Sequence, residues 1–287
     1  MEEIFLKKSI DARFGGVGDL AVGLWIAEGA RQAGEAIDIV GGGYEPIIHA
    51  FGHRTVMDPT SDCMLLGGNS DVYAEELKSS RDDFAPRTLR WQRTMGWDFA
   101  PRRPQLQFLS PASYEWAATL VGAQPTVVIA PRAAHTSRSL PVQKWIRVAW
   151  ALHEEGIRTV AIDRDKDVVH HFPLFAYGFD WTYVLQLVSL AAVVAGNDSG
   201  IAHLAVTVGR PTVVTMGPTI GSIVFGHSLD VVRLVTTAEL ACHGCHFHHA
   251  KGYRVACDYG CEALSLISAE RIRDEIKTAL AVTGKDR

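Results

Sequence analysis

No run in this sequence approaches the roughly 20 apolar residues that a helix needs to cross a bilayer. The amino terminus, Met1-Glu-Glu-Ile-Phe-Leu-Lys-Lys8, puts acids before a short apolar patch and offers no small-residue cleavage site. A secreted or membrane-spanning protein is therefore not expected. A cytoplasmic one is, with peripheral contact at the inner membrane left open. Charge of one sign is also scarce. A formal net charge of −4, with no basic fingerprint or nucleic-acid module, argues against a nucleic-acid partner. The five cysteines are too few and too bunched for a disulfide framework, since Cys63 stands alone and Cys242, Cys245, Cys257 and Cys261 crowd one segment. Acidic pairs of the Asp-x-Asp kind that hold a catalytic metal are nearly missing too. Asp163-Arg-Asp165 is the candidate, and it sits where a ribose contact fits better. What remains is 287 residues with 47% hydrophobic and 21% charged side chains, the profile of a globular α/β protein of two middling domains.

The most informative stretch is Val193-Val-Ala-Gly-Asn-Asp-Ser-Gly-Ile-Ala-His203, continued as Leu204-Ala-Val-Thr-Val-Gly-Arg-Pro-Thr-Val-Val-Thr-Met-Gly-Pro-Thr219. It reads as an apolar strand, a polar turn, a helix ending near Gly209 and a second apolar strand. Such a unit builds a parallel sheet, and its turn lies at the carboxyl edge, where these sheets bind ligands. With Asp198 or Ser199 as cap and Gly200 beside it, the unpaired N–H groups of the helix start offer a seat for a phosphate. Taken alone, Asn-Asp-Ser-Gly would more often be an ordinary helix cap than a site. His203, one turn in, is either a hydrogen-bonded core histidine or a site residue.

Taken whole, Asp-Ser-Gly-Ile-Ala-His, then Gly-Arg-Pro-Thr-Val-Val, then Met-Gly-Pro-Thr closely resembles the nucleotide-sugar signature of the heptosyltransferase family, glycosyltransferase family nine, typified by lipopolysaccharide ADP-heptose transferases. The resemblance implies a GT-B architecture, two Rossmann-like domains facing across a cleft. The acceptor-side domain is expected at 1–122 and the nucleotide-sugar domain at 123–287. It further implies an inverting glycosyltransferase that moves a sugar, a heptose from an ADP-activated donor, to a lipopolysaccharide-type glycan or protein hydroxyl. The rivals are another nucleotide-sugar enzyme such as an epimerase, or a non-catalytic binding or assembly module on the same fold. Homo-oligomers are compatible with all three.

Earlier in the chain, residues up to Arg13 read as a first strand, Phe14-Gly-Gly-Val-Gly-Asp19 as the turn after it, and Leu20 to Ala33 as a helix. The structural role for Asp19 is capping that helix. The string Arg13-Phe-Gly-Gly-Val-Gly-Asp19 also resembles the family's opening motif, which places the general base on Asp19. Short strands are expected at 36–40, 54–57 and 63–66, with helices at 44–51 and 71–81. Between Arg87 and Arg103, five arginines interleave with Trp91, Trp97 and Phe99, either a solvated helix face over core aromatics or a cationic edge for an anionic acceptor.

After Gly122 a second strand–helix series begins. Thr136, Ser137 and Arg138 lie in a polar loop able to contact phosphate. Lys144-Trp145 partly resembles the family's Lys-x-Trp-Pro segment, which assigns Lys144 to the donor diphosphate. Asp163 or Asp165, at a strand end, suits ribose hydroxyls. Asp198 would orient the donor, and amides of Ser199 and Gly200 would bind phosphate without a catalytic metal. Cys242-x2-Cys245 and Cys257-x3-Cys261 have the spacing of a tetrahedral zinc or iron site, expected to be structural. His243, His246, His248 and His249 are alternative ligands. The segment is similar to the cysteine finger of family members that modify autotransporter proteins. A capped helix from Ser268 to Ala281, packing back across the domains, closes the chain.

Overall fold

A computed structural model describes residues 8–13, 15–60, 62–66, 74, 85–107, 109–237, 240, 242–248 and 260–283. Apart from Ala74, which is helical, the expected helix at 71–81 lies outside the described residues, as does Cys257. Among the described residues two parallel sheets alternate with helices. The first half contributes β1 (Lys8–Asp11), α1 (Val17–Gln32), β2 (Ile37–Val40), α2 (Glu45–Ala50), β3 (Thr55–Val56), β4 (Asp62–Leu65) and α3 (Arg87–Met95). The second contributes α4 (Pro111–Val121), β5 (Thr126–Ala130), α5 (Val142–Glu154), β6 (Arg158–Asp163), α6 (Lys166–Val169), β7 (Phe175–Tyr177) and α7 (Trp181–Leu190). There follow β8 (Val193–Asn197), α8 (Gly200–Thr207), β9 (Thr212–Met216), α9 (Gly221–Val224), β10 (Val232–Thr236), α10 (Cys245–His248), α11 (Glu262–Ser265) and α12 (Ala269–Thr283).

The sheets run in the orders β3-β2-β1-β4 and β10-β9-β8-β5-β6-β7, with every pairing parallel. Each order reverses once, between β1 and β4 and between β5 and β8. Ligands of open parallel sheets bind in the crevice outside the carboxyl ends at such a reversal. The loop after β1 leads into the first turn of α1, which carries Asp19, and the segments after β5 and β8 carry Arg138 and Ser199. The topology therefore sends the strongest candidates to two facing edges.

The strands are short and apolar throughout, as expected where helices cover both faces. Val127 to Ala130 and Val193 to Ala195 are almost wholly buried. Asn197 fastens the switch point of the second sheet. Its amide nitrogen donates to the Pro131 carbonyl at 2.8 Å, while its oxygen accepts from Leu140 N at 2.8 Å and from Thr215 Oγ1 at 3.0 Å. Both ends of the segment between β5 and α5 are thereby tied, with strand β9, to one buried side chain that immediately precedes the Asp198-Ser199 turn.

Helix α1 has no polar face along most of its length, because it is covered on both sides. One side meets the first sheet. The other meets α8 of the second half so closely that a Cβ at position 200 would come within 1.9 Å of Val17 Cγ1, and one at position 18 within 3.0 Å of His203 Cδ2. Glycine at both positions is what lets the two helix starts touch. Lower down the same contact, Trp25 Nε1 donates to Thr207 Oγ1 at 3.1 Å, and Arg103 pairs with Asp230 at 2.7 Å. Leu185 and Leu204 from the second half complete the first hydrophobic core.

Two expectations need correction. Helix α12 stays on the second sheet, burying Ile272, Ile276 and Ala279 in its core rather than crossing to the first half. Helix α4 also belongs to a core of the second sheet, through Ala117 and Val121. Its sequence neighbours in the first half do not decide where its apolar face goes.

Candidate active site

A cleft of ≈ 1180 Å³ opens between the two sheet edges. Asp19 from the first half lines it, as do Thr136, Arg138, Asp163, Ser199, Gly200 and His203 from the second. Among the described residues the starts of six helices border it, at Val17, Arg87, Val142, Trp181, Gly200 and Glu262. Each first turn has N–H groups without intrahelical partners and the positive end of a helix dipole. Arg87, Arg132, Arg138 and Arg164 add side-chain charge. These groups set positive charge along the cleft beside the carboxylates of Asp19, Asp163 and Glu262.

Asp19 performs the structural role expected of it and still faces the cleft. Its Oδ2 accepts from Gly16 N at 2.9 Å, capping α1 and fixing the carboxylate's position. Helix α1 starts at Val17, earlier than the sequence suggests, because this cap draws in one more turn. Opposite, Ser199 is the N-cap of α8 by backbone conformation, yet its hydroxyl caps nothing. Ser199 is only 6% exposed and its Oγ has no hydrogen-bond partner among the described residues. This buried hydroxyl lies beside the first-turn amides of α8, which have no intrahelical partners.

Asp198 points away from solvent. Thr219 Oγ1 donates to its Oδ2 at 2.7 Å, His203 Nε2 lies 3.4 Å from Oδ1 and Arg138 Nη1 3.8 Å from Oδ2. Burial by itself would raise this carboxyl's pKa, but His203, Arg138 and Thr219 outweigh it and hold the group far below the usual carboxylate range. Asp198 therefore remains ionised and orients His203 and Arg138. The His203 ring stacks on Phe225 at 4.3 Å between centroids. Behind it, burial and the neighbouring cations push His227 down to about 3, so this histidine stays neutral at physiological pH.

Other candidates fall differently. Asp163 ends β6 as expected, but Arg132 Nε donates to its Oδ2 at 2.9 Å, and the backbone N–H of Asp165 donates to Oδ1 at 2.9 Å. A ribose contact there would share the carboxylate with Arg132. Thr136 is exposed on the cleft, whereas Ser137 turns inward, its hydroxyl 2.8 Å from His135 Nδ1, and does not line it. Lys144 is not a cleft residue either. Its ammonium donates to the carbonyls of Ser265 and, at 2.7 Å, Ile267, tying α5 to the segment before α12. The unfavourable cation in a first helical turn is thus explained by tertiary carbonyls rather than by a bound anion. We expect Lys144→Ala to leave nucleoside diphosphate affinity unchanged in calorimetry while lowering stability by about 1 kcal/mol for the lost hydrogen bonds, read by thermal denaturation.

The cysteine segment borders the cleft rather than standing apart. Gly244 N donates to Gly217 O at 3.1 Å and His246 N to Pro218 O at 2.8 Å, while Cys261 and Glu262 line the cleft. Cys245 and Cys261 are buried and Cys242 is exposed. Among the described residues no three His, Cys, Asp or Glu side chains come together as metal ligands. Residues that the sequence left unassigned also line the cleft: Tyr44, Arg132, Arg164, Phe179 and Trp181. Arg87, read there only as part of a cationic stretch, is buried at the cleft's edge. Among the described residues no helix is long and apolar enough to cross a membrane.

Comparison with known proteins agrees with this geometry. Residues 179–224 match the model of glycosyltransferase family 9 (heptosyltransferase), a span holding α7, β8, the Ser199 turn, α8 and β9. No curated protein matches the chain by sequence. In fold it is similar to E. coli ADP-heptose LPS heptosyltransferase II, at 13% identity and a TM-score of 0.64 over 97% of this chain and 99% of that one. A family 9 glycosyl transferase from Veillonella parvula gives 13% and 0.68 over 98% and 99%. TibC of enterotoxigenic E. coli, described as an iron-containing dodecameric glycosyltransferase, gives 17% and 0.67 over 98% and 80%. A further TibC structure holds ADP-D-β-D-heptose. Residues 179–224 thus match the glycosyltransferase family 9 model, and the chain as a whole has the GT-B fold of these glycosyltransferases.

Proposed function

We propose that the chain is an inverting glycosyltransferase that moves a sugar, a heptose from an ADP-activated donor, onto a hydroxyl of a glycan or protein acceptor. The acceptor lies on the Asp19 side of the cleft and the donor on the Ser199 side. The observation that carries this reading is that Asp19, from the first half, and the Ser199-Gly200 turn, from the second, line one cleft.

The chemistry follows from that placement. The donor's diphosphate lies at the start of α8, accepting from the amides of Ser199 and Gly200, from the Ser199 hydroxyl and from Arg138. Asp198 keeps Arg138 and His203 aimed there. The acceptor hydroxyl attacks the anomeric carbon from the opposite face as Asp19 takes its proton, and the bond to the diphosphate breaks. The leaving group's negative charge grows where oriented donors already stand, so little reorganisation is needed. No step depends on the cysteine segment.

Calorimetric titration with ADP, UDP and GDP tests the donor side. ADP is expected to bind, with Ser199→Ala and Arg138→Gln each weakening it about tenfold, the value of one hydrogen bond to a charged group. A protein that binds none of the three nucleotides contradicts the proposal and favours a non-catalytic assembly role. Turnover of an ADP-sugar to an epimer without any acceptor would favour the epimerase.

A further inference from the structure

We propose that Arg132 makes the ribose contact in the donor site, donating from its Nη1 edge to a sugar hydroxyl of the bound nucleotide, while Asp163 serves to hold the guanidinium. The inference rests on the donor reading above and deepens it by naming the residue that reads the nucleoside. Asp163, at the end of β6, stands where an acid of a parallel sheet commonly takes ribose hydroxyls. Here that carboxylate is already engaged. Its Oδ2 accepts from Arg132 Nε at 2.9 Å, and its Oδ1 accepts from Arg132 Nη2 and, at 2.9 Å, from the backbone N–H of Asp165. The Asp163 side chain is only 9% exposed, whereas that of Arg132 is 40% exposed and lines the cleft. A hydroxyl entering from the cleft therefore has more of the guanidinium to meet than of the carboxylate.

Arg132 is held ready for this contact. Just before it, Asn197 Nδ2 donates to the Pro131 carbonyl at 2.8 Å, and just after it Ala133 N donates to Ser139 Oγ at 3.0 Å. With the backbone pinned on both sides and the Nε edge fixed on Asp163, little freedom is left to lose when a ligand binds. Side-on pairing leaves the Nη1 N–H groups without a hydrogen bond among the described residues, and Asp165 Oδ2 stands 3.7 Å from Nη1. A donor and an acceptor across such a gap suit two neighbouring hydroxyls, one accepting from Arg132 and the other donating to Asp165. Paired with Asp163, Arg132 competes poorly for the diphosphate, but a neutral hydroxyl needs only the donor. The rest of a nucleotide fits around it. Arg132 follows β5 and Ser199 follows β8, paired strands about 5 Å apart. At the end of β6, Ile162 lines the cleft with Phe179, Trp181 and Val184, an apolar surface for a base.

Calorimetric titration of ADP and 2′,3′-dideoxy-ADP into the wild-type protein and Arg132→Ala tests the assignment. Wild type is expected to bind ADP about tenfold or more tighter than the dideoxy nucleotide, and Arg132→Ala to weaken ADP by about tenfold while leaving the dideoxy affinity unmoved. Adding Asp163→Asn to Arg132→Ala is expected to cause no further loss. If Asp163 itself holds the ribose, Arg132→Ala uncovers it and ADP affinity stays or rises, which overturns the inference, as does a further loss in the double variant. Equal weakening of both nucleotides by Arg132→Ala also overturns it, because Arg132 would then serve the phosphates or the fold. Should the alanine variant not fold, Arg132→Lys, which keeps a cation beside Asp163 without the Nη1 donors, carries the same comparison. A wild-type protein that binds the two nucleotides equally overturns this inference alone, whereas one that binds neither removes the donor reading with it.

Discussion

Replacing Asp19 with Asn should lower the rate of sugar transfer by about two to four orders of magnitude, the range contributed by a positioned general base, and leave ADP affinity unchanged. The separation follows from geometry. Asp19 belongs to the first half, whereas the proposed diphosphate contacts come from the second, and the substitution removes proton affinity without changing shape. It also preserves the fold, because an Asn oxygen still accepts from Gly16 N and keeps the cap on α1. The check is single-turnover transfer from an ADP-sugar beside a calorimetric titration of the same preparation. A variant that transfers normally would remove Asp19 from the chemistry and leave it only the cap. Loss of ADP binding would place the residue in the donor site instead.

The second large effect is on stability. Asp198 is 3% exposed and ionised, and it accepts from Thr219 while facing His203 and Arg138. Truncation to Ala strands those partners, and breaking a buried charge pair from one side typically costs about 3–5 kcal/mol. For a chain of this size that corresponds to a fall in Tm of about 10 °C. Asn, which retains an acceptor for Thr219 but not the charge, should fall between Ala and wild type. The pH dependence has a definite sign. The folded-state pKa lies below the unfolded value, so the stabilisation is fully present above the unfolded value of about 3.9 and is lost as pH falls through the folded one. The gap in Tm between wild type and Asp198→Ala should hold from neutral to weakly acidic pH and narrow only below about pH 4. A gap that closes between neutrality and weak acidity would mean that Asp198 is not held as described.

The parts of the site that the sequence disclosed are those whose geometry is local. A strand, a polar turn and a glycine beside a helix start fix Asn197 to Gly200 within a few residues, and the alternation of strands and helices carries that turn to a carboxyl edge. Asp19 was legible for the same reason, in both its capping and its cleft-facing roles. Lys144 was misleading because its partners are carbonyls more than a hundred positions away, at Ser265 and Ile267, which no local pattern announces. Ser137 was lost to a neighbouring histidine that competes for its hydroxyl. Arg87 was obscured by its company. Among several arginines and tryptophans, only docking of α3 against Gly226 distinguishes the one drawn into the cleft. Helix α4 and helix α12 follow the same rule, since their apolar faces fit the second sheet's cores, and three-dimensional neighbours decide that choice.

The central claim is that one cleft grips a nucleoside diphosphate at the start of α8 while a carboxylate from the first half lines the same cleft. A crystal structure of the ADP complex tests it most directly. The account predicts diphosphate oxygens within hydrogen-bonding distance of the Ser199 and Gly200 amides, the Ser199 hydroxyl and Arg138, with Asp19 facing the terminal phosphate across open space. ADP bound outside this cleft, or within it with its diphosphate turned away from Ser199, would contradict it.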